Sequence, residues 1–476
     1  MSGLSLLLET ARRALNAQQL GISVTGHNIA NASTPGFSRQ RAELVPTLPV
    51  FQGNGLIGTG VIGQGVSRLR NGFIDQQIRS SNQAMGQATS EQQILSQVEA
   101  TFNEPSDAGL SSAMTNFFNS WQDLATHPED TVTRDTVLQR AKQLTESFHR
   151  LHTDLTSFRG SLRDDVTTKL SRINTLSKEI SDLDGQIIAG NAVGVDSSDV
   201  KDQRDLRLDE LSKLANISVT EDSQGSVTVS LGGTVIASKG GANFLKSASA
   251  PGVAVGGGTF DQLKIITETG GIDVAVSGGE LGGVLTSYNS TLSEYLGKLD
   301  QLAQGIIGAV NAPHAAGFGR GTPAPTGINF FSGTDASTMQ IDLTDTSTGA
   351  APGSGVNINN IAAAAGPPPP AAGDNRVALQ IAGLASAAQV SLGGNTVLQF
   401  YNELVTGVGT SISTAENIAT SHELVLNQLE GQRDAVSGVS IDEEMTNLIK
   451  FQRAFDAAAR IVNTTNEMYQ TILDMV

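Results

Sequence analysis

A seven-residue apolar repeat at the C-terminal end limits the folds open to this 476-residue chain. From Ser440 onward there is no Gly or Pro, and Ser440 with Glu443 forms a capping-box pattern that predicts a helix start. The repeat consists of Ile441, Leu448, Phe455, Val462, Tyr469 and Val476. Such a repeat forms a straight seam that a second helix typically covers. A helix docked on its own domain is the simpler alternative.

The N-terminal end carries a matching pattern. Its repeat consists of Leu8, Leu15, Ile22 and Ile29. On the C-terminal helix, a second row contains Phe451, Ala458 and Ile472 but is interrupted by Glu444 and Thr465. We therefore expect the two chain ends to pair as a coiled coil, with the rest of the chain inserted between them.

A loop motif follows the N-terminal repeat. The sequence Asn28-Ile-Ala-Asn31 leads into Thr34-Pro35-Gly36-Phe37, where Pro and Gly end a helix and begin a turn. This motif resembles the N-terminal signature of bacterial flagellar rod, hook and hook-associated axial proteins. The stretch Ile441-Asp-Glu-Glu-Met-Thr-Asn-Leu-Ile with Gln452-Arg-Ala-Phe455 resembles the C-terminal signature of the same family. The resemblance implies that the loop motif and the two apolar repeats serve assembly.

The resemblance implies a structural axial component of the flagellum, assembling at the hook tip as an adaptor between hook and filament. A Lys-Asp-Gln-Arg-Asp helix after Asp199, followed by Asn-Ile-Ser-Val and a Gly-rich hairpin, favours the hook-associated members. Without that block, a hook or distal-rod protein is the alternative. The implied partners are further copies in a helical homo-oligomer, the hook protein, the next hook-associated junction protein, the flagellin filament and a cytoplasmic export chaperone.

Composition narrows the possible partners and compartments. The net charge of −17 argues against a nucleic-acid or anionic-membrane surface, and with 0 Cys there is no disulfide framework. No apolar run reaches the roughly 18 residues of a membrane span, and Leu4 to Leu8 is too short for a signal-peptide core. The resemblance implies type III export without a cleaved signal and an extracellular position at the hook–filament junction.

A nucleotide-dependent enzyme is the alternative from another class. Gly53-x-Gly55-x-x-Gly58 formally matches a dinucleotide fingerprint, but more Gly-rich sequence follows where a helix is required, which favours turns between strands. His149, His152 and Asp154 have a spacing that could hold a metal, although a solvated helix face is the favoured interpretation. We predict no catalytic residues, no metal site and no cofactor.

The interior alternates between helical and strand-like segments. A long helix is predicted over roughly 133–189, with Val137, Ala141, Leu144, Phe148, Leu151 and Leu155 on one face. The period changes to two from Ile217, which predicts strands to about Val276. Residues 318–375 are rich in Gly, Ala, Ser, Thr and Pro and end at Pro367–Pro370, which predicts a linker without a core.

These patterns predict a mainly α fold with an inserted β domain. The expected parts are paired terminal helices (1–40 and 437–476), an extended or β connector (41–70), a helical bundle (71–216, 278–317 and 376–436), a β-rich insertion (217–277) and a low-complexity linker (318–375).

Overall fold

The computed structural model describes residues 3–52, 55–344, 356–366, 371 and 373–475. Gly53 of the glycine motif, the Pro367–Pro370 tract and the last repeat residue Val476 lie outside the described residues. Within the described ranges the protein is mainly helical with small antiparallel sheets, which confirms the predicted fold class.

Long helices alternate with groups of short strands along the chain. The helices are α1 (Gly3–Ala30), α2 (Gly72–Phe102), α3 (Leu110–Thr126), α4 (Thr131–Ala192), α5 (Ser198–Leu214), α6 (Gly279–Thr286), α7 (Leu292–Ala316), α8 (Arg376–Gly383), α9 (Val397–Ser437) and α10 (Ile441–Asp474). The strands are β1 (Gln40–Pro46), β2 (Val50–Gln52), β3 (Gly55–Ile57), β4 (Val61–Arg68), β5 (Ile217–Glu221), β6 (Val227–Leu231), β7 (Thr234–Ser238), β8 (Gly241–Ala242), β9 (Leu245–Val255), β10 (Gly258–Thr267), β11 (Asp273–Val274), β12 (Phe331–Ser332) and β13 (Gln340–Ile341). A π-helical turn, Ser287–Thr291, joins α6 to α7.

The chain forms two compact units. Unit 1 contains Met1–Met85, Arg172–Phe244 and Ser421–Val476, and unit 2 contains Gly86–Ser171 and Leu245–Thr420. This division differs from the predicted domains, because it cuts both the helical segments and the β-rich segment. The strands expected as one insertion form the sheet β5-β6-β7-β8 in unit 1 and the sheet β11-β10-β9 in unit 2.

Unit 1 combines the terminal helices with β1 to β4 and the four-stranded sheet. Strand β1 pairs antiparallel with β4, and β2 pairs with β3 in a short hairpin. A small apolar cluster within the unit joins Ile74 and Ile78 of α2 to Leu426 and Leu429 of α9. Within the unit, the terminal helices α1 and α10 lie side by side.

Unit 2 is built around α7, which buries apolar side chains on several faces, including Leu292, Leu296, Leu299, Ile306 and Val310. The predicted apolar face of the long helix is buried too, since Val137, Ala141, Leu144 and Phe148 are 0% exposed. Trp121, the chain's one tryptophan, is fully buried against Phe117 and Phe330. Its fluorescence therefore reports on unit 2.

The described part of 318–375 is not a linker without a core. Phe330, Phe331, Leu343 and Ile361 are all 0% exposed. Backbone N–H groups of both phenylalanines donate to the side chain of Asn311 at 2.9 Å, which fastens the segment to α7. The predicted linker is instead part of a core, because a segment with few apolar residues can complete a core that neighbouring helices supply.

His314 is a buried neutral imidazole that joins this segment to α7. One ring nitrogen lies 2.7 Å from the carbonyl oxygen of Ile328, and the other accepts the N–H of Ala362 at 3.0 Å. Burial, with a smaller contribution from the charge of Arg134, lowers the pKa of His314 to about 4, although the bond to Ile328 opposes this shift. Protonation would replace the acceptor nitrogen by a second donor.

We expect unit 2 to lose stability as pH falls from about 6.5 to about 4. In that window the unfolded chain binds a proton at His314 that the folded chain does not, so the loss reaches about 3 kcal/mol. Urea unfolding followed by Trp121 fluorescence should show a smaller pH dependence in His314→Gln than in the natural protein. Exposed His127→Gln is the control, and parallel pH curves for the natural protein and His314→Gln would contradict this account.

Candidate assembly site

The terminal helices α1 and α10 pack against each other in antiparallel orientation. A Cβ atom built on Gly21 would lie 2.8 Å from the ring of Phe451, and Asn28 Nδ2 donates to Glu444 Oε2 at 3.0 Å. Moving forward along α1 therefore corresponds to moving backward along α10. This register places Ala14 opposite Ala458 and Ala17 opposite Phe455.

The contact face of α10 contains both rows identified in the sequence. Ala458 and Thr465 are buried, whereas Leu448, Phe455, Val462 and Tyr469 are half-buried. Glu444 and Thr465, which interrupt the second row, are among its most buried members at 2% and 0% exposure. Ile441, at the start of the predicted seam, is 53% exposed.

The contact face of α1 differs from the predicted row. Its members, at steps of three and four, are mostly small or polar, with Val24 the one larger apolar residue: Ala14, Ala17, Gly21, Val24 and Asn28. The predicted residues Leu8, Leu15, Ile22 and Ile29 are half-buried and lie beside this face. Ile22, for example, lies about 100° around the helix from Gly21. Small residues in α1 leave room for the large rings of α10, so the seam is asymmetric in size.

A buried polar cluster fixes the register at one end of the pair. Asn28, 1% exposed, donates to Gln40 O at 2.8 Å and accepts the Gln40 N–H at 2.9 Å. Arg39 donates through Nε to Glu444 Oε1 at 2.8 Å, and its other end pairs with Glu443 at 2.9 Å. Because Glu444 is buried between Asn28 and Arg39, a shifted register would leave its charge without partners.

We expect Glu444→Gln to lower the opening free energy of α10 by about 1.5–3 kcal/mol, the usual contribution of hydrogen bonds to a charged group. Amide hydrogen exchange across α10 measures this quantity. Glu443→Gln is the matched control, since the Glu443 side chain is 62% exposed and its ion pair should contribute under about 1 kcal/mol. Equal effects of the two changes would exclude a special role for the buried carboxylate.

The family loop motif lies beside this cluster and packs on α5. Asn31 is half-buried and accepts the Thr34 hydroxyl at 3.1 Å, while Pro35 and Gly36 are exposed. Gly36 has φ +79°, a left-handed conformation that favours glycine, and lies against Leu206 of α5.

Phe37, the last residue of that motif, is half-buried and packs edge-on against the His27 ring, with the centroids 5.4 Å apart. The next residue, Ser38, donates its N–H to Asp202 of α5 at 2.9 Å. The loop is therefore fixed at both sides, to α1 through His27 and to α5 through Asp202.

Helix α5 also anchors the neighbouring elements through a row of acids. Asp202, Asp205 and Asp209 follow one face of the helix at steps of three and four. The arginines that meet them are Arg68, Arg70, Arg79 and Arg433, with nitrogen–oxygen distances of 2.8 to 3.1 Å for the nearest contacts. Burial alone would lower the pKa of Arg70, but Asp205, Asp75 and Asp209 together raise it above its ordinary value. The three acids of α5 thus hold β4, α2 and α9 in place.

Apolar side chains remain accessible on both terminal helices. Leu20 of α1 lies against Gly63 of β4, whereas Ile22 is about 200° around the helix from Leu20 and points away from that strand. On α10, Ile441, Met445 and Ile449 are 43–53% exposed. Exposed apolar rows at steps of three and four are typical of helices that contact another molecule.

The described residues give no support to a nucleotide site at the glycine motif or to a metal site at His149. Gly55 lies in β3 and the chain continues into β4, so the glycine motif is not followed by the helix that a dinucleotide site requires. His149 lies 2.8 Å from the carbonyl oxygen of Met339, and no group of three His, Cys, Asp or Glu residues in the described part could hold a metal ion. None of the described helices combines the length and apolarity needed to cross a membrane.

Comparison with known proteins identifies the family. Residues 95–331 match the model for the flagellar hook-associated protein FlgK helical domain. The flagellar hook-associated protein 1 of Bacillus subtilis is 31% identical, over 98% of this chain and 97% of that protein. This chain belongs to the flagellar hook-associated protein 1 family. It is a structural component of the bacterial flagellum, and the nucleotide-dependent enzyme alternative has no support.

Other matches agree with this family. Residues 8–37 match the flagella basal body rod protein model, and residues 432–475 match the flagellar basal body rod FlgEFG protein C-terminal model. The flagellar hook-associated protein 1 of Salmonella typhimurium is 26% identical, over 99% of this chain and 100% of that protein. The flagellar hook junction protein FlgK from Burkholderia pseudomallei has the same fold, with a TM-score of 0.59 and 17% identity over 76% of this chain and all of that chain.

Sequence reasoning found the family loop motif and the α10 seam but missed Glu444, Arg39 and the acids of α5 as anchors. In the sequence, Glu444 interrupts the seam and lies within the C-terminal family signature, but neither pattern indicates its partners. Its neighbour Arg39 carries no signal, because a lone arginine after a turn is usually solvated. One clue was available, since an acid at a seam position of a paired helix requires a buried partner.

Proposed function

We propose that this chain assembles at the tip of the hook as the junction between hook and filament. The proposed partners are further copies of itself in a helical assembly, the hook protein, the next hook-associated junction protein and the flagellin filament. The position rests on the hook-associated relatives and on the match over residues 95–331. A hook or distal-rod protein is disfavoured, because the matches to rod-protein models cover only the terminal segments.

The assembling part is the α1–α10 pair. This proposal rests on the difference in burial between the contact of the two helices and the apolar row beside that contact. Inside the pair, Gly21 and Asn28 hold the register against Phe451 and Glu444. Beside that contact, the row Leu8, Leu15, Ile22 and Ile29 is only half-buried in the single chain. Burial of this row and of Ile441 against neighbouring copies would complete the seam predicted from the sequence.

The exposed apolar surface of α10 also bears on how the protein reaches the hook tip. We propose export through the flagellar type III apparatus without a cleaved signal peptide, and a final extracellular location. The exposed apolar residues of α10, such as Met445 and Ile449, would promote premature association in the cytoplasm. An export chaperone that covers them until export would prevent it.

The location is tested by labelling. The chain has no cysteine, and Val390 is 97% exposed, so Val390→Cys gives one specific site for a gold label. In a strain lacking its own copy, electron microscopy should show label only at the boundary between hook and filament. Without the chain, hooks should end without filaments. Label along the hook or on the rod would favour the hook or distal-rod alternative.

A further inference from the structure

Arg134 of unit 2 is an exception among the buried arginines of the described residues. Arg159 pairs with Asp261 at 2.7 Å, and Arg204 pairs with Asp184 at 3.1 Å. Arg134 is 4% exposed, yet no carboxylate lies within ion-pair distance of it in the described part of the chain. Burial of a guanidinium without a counter-charge costs several kcal/mol, so this arrangement requires an explanation.

Backbone carbonyl groups satisfy only part of Arg134. Its Nε and Nη2 donate to Pro128 O at 3.1 and 2.7 Å, and its Nη1 donates to Ile361 O at 2.5 Å. A guanidinium has five N–H donors, so two remain for another acceptor among the described contacts. Burial first, and the charge of nearby Arg320 second, lower the pKa of Arg134 to about 10.

The two arginines line one cavity of about 270 Å³. Its walls are mainly small residues: Gly319, Gly321, Ala363, Ala364, Ala371 and Gly373. Arg320 is exposed and is held at the cavity by a bond from Nη1 to Glu129 O at 3.0 Å. The space is therefore open beside two positive charges.

The two carboxylates at this cavity do not neutralise Arg134. Asp374 pairs with Arg376 at 2.9 Å and accepts the N–H groups of Ala365 and Gly366 at 3.1 and 2.9 Å. Glu129 is an exposed residue, and its backbone oxygen rather than its carboxylate contacts Arg320. The local charge around the free donors of Arg134 is positive in a chain whose net charge is −17.

We propose that this cavity is a binding site for a small oxyanion of the phosphate or sulfate class. Planar guanidinium groups bind such anions through paired N–H donors, and Arg134 and Arg320 offer donors from two sides. The bound anion supplies the missing counter-charge and connects the start of α4 to the segment around Arg320. The site is independent of the proposed assembly at the α1–α10 pair.

The test is calorimetric titration of the full-length protein with sodium phosphate and with sodium sulfate, at constant ionic strength set with sodium chloride. Saturable binding at one site is expected. Arg320→Gln should weaken it by about fivefold or more, the equivalent of roughly 1 kcal/mol for a partly exposed charge. Glu129→Gln should tighten binding, because it removes a negative charge from the rim.

Folding of the variants is checked by the emission of buried Trp121, and both changed residues are exposed, so the fold should persist. The urea midpoint followed by this emission should rise with phosphate and reach a plateau in the natural protein. Absence of binding heat in the millimolar range, or equal affinities in all three proteins, would overturn the proposal. An equal midpoint rise in all three would identify a general salt effect and would overturn it as well.

Discussion

Gly21→Leu is expected to abolish incorporation of this protein into flagella. A Cβ atom at position 21 would lie 2.8–2.9 Å from three ring atoms of Phe451, including the one nearest its backbone, so the ring cannot simply rotate away. Leucine is a good helix former, and α1 itself should persist. The change therefore separates α1 from α10 without unfolding either helix, and motility of a strain that carries only this variant should be lost.

Gly26→Leu is the matched control for this experiment. Gly26 lies in the same helix, and no heavy atom would lie within 4 Å of a Cβ atom there. Leucine at this position should raise helix stability by up to about 1 kcal/mol and leave pairing intact. Normal motility with Gly21→Leu would contradict the role assigned to the helix pair, and loss of motility with both variants would indicate a different requirement.

Ile22→Asp is expected to block assembly while leaving the α1–α10 pair formed. Ile22 lies beside the seam and points away from β4, so a carboxylate at this position can be solvated in the single chain. In the proposed assembly it would be buried against a neighbouring copy. The loss of one buried apolar side chain, roughly 1.5–3 kcal/mol, corresponds to a contact weaker by about 10- to 150-fold. The same contact recurs in every copy, so incorporation measured in isolated flagella should fall to background.

Ser23→Asp provides the control, because it adds the same charge at the adjacent, exposed position of α1. Hydrogen exchange across α10 should match the natural protein in both variants, which separates assembly from pairing. If Ile22→Asp and Ser23→Asp incorporate equally well, the row from Leu8 to Ile29 is not an assembly surface.

Sequence patterns predicted α10 better than α1, and the reason is the size of the side chains. On α10 the contact residues include Leu448, Phe455 and Val462, which a search for apolar repeats detects directly. On α1 the contact residues are Ala17 and Gly21, which carry little apolar signal. The same search therefore selected the larger neighbours of the contact face. Small residues at a helix interface become visible only when the large partner opposite them is known.

The buried polar contacts could not be predicted from one sequence. Glu444 contacts Asn28 and Arg39 across more than 400 positions of the chain. An acid in the seam of a paired helix indicates that a buried partner is needed, but local patterns contain no information about which distant residue that partner is. The terminal motifs gave the family correctly, because Asn28 and the loop after it are a recognisable pattern even before their contacts are known.

Composition was a poor guide to the segment around Phe330. Its low apolar content predicted a linker, but the helices of unit 2 supply most of the core that it completes. The β-rich region was predicted correctly as strands from the alternation at Ile217 and beyond. The boundary between the two units falls between Phe244 and Leu245. It depends on packing against different helices, and the alternation of apolar residues along the strands does not indicate it.

We infer that the two ends of one chain pair with each other in the assembled flagellum. The double variant Ala17→Cys/Phe455→Cys in this cysteine-free chain tests this pairing, because the register places these positions opposite each other. After mild oxidation of isolated flagella, a non-reducing gel should show a cross-linked species of monomer mass with shifted mobility. The pair Ala17→Cys/Gln452→Cys, in which position 452 is exposed, should not form it. A ladder of multimers, or equal cross-linking by both pairs, would contradict pairing within one chain.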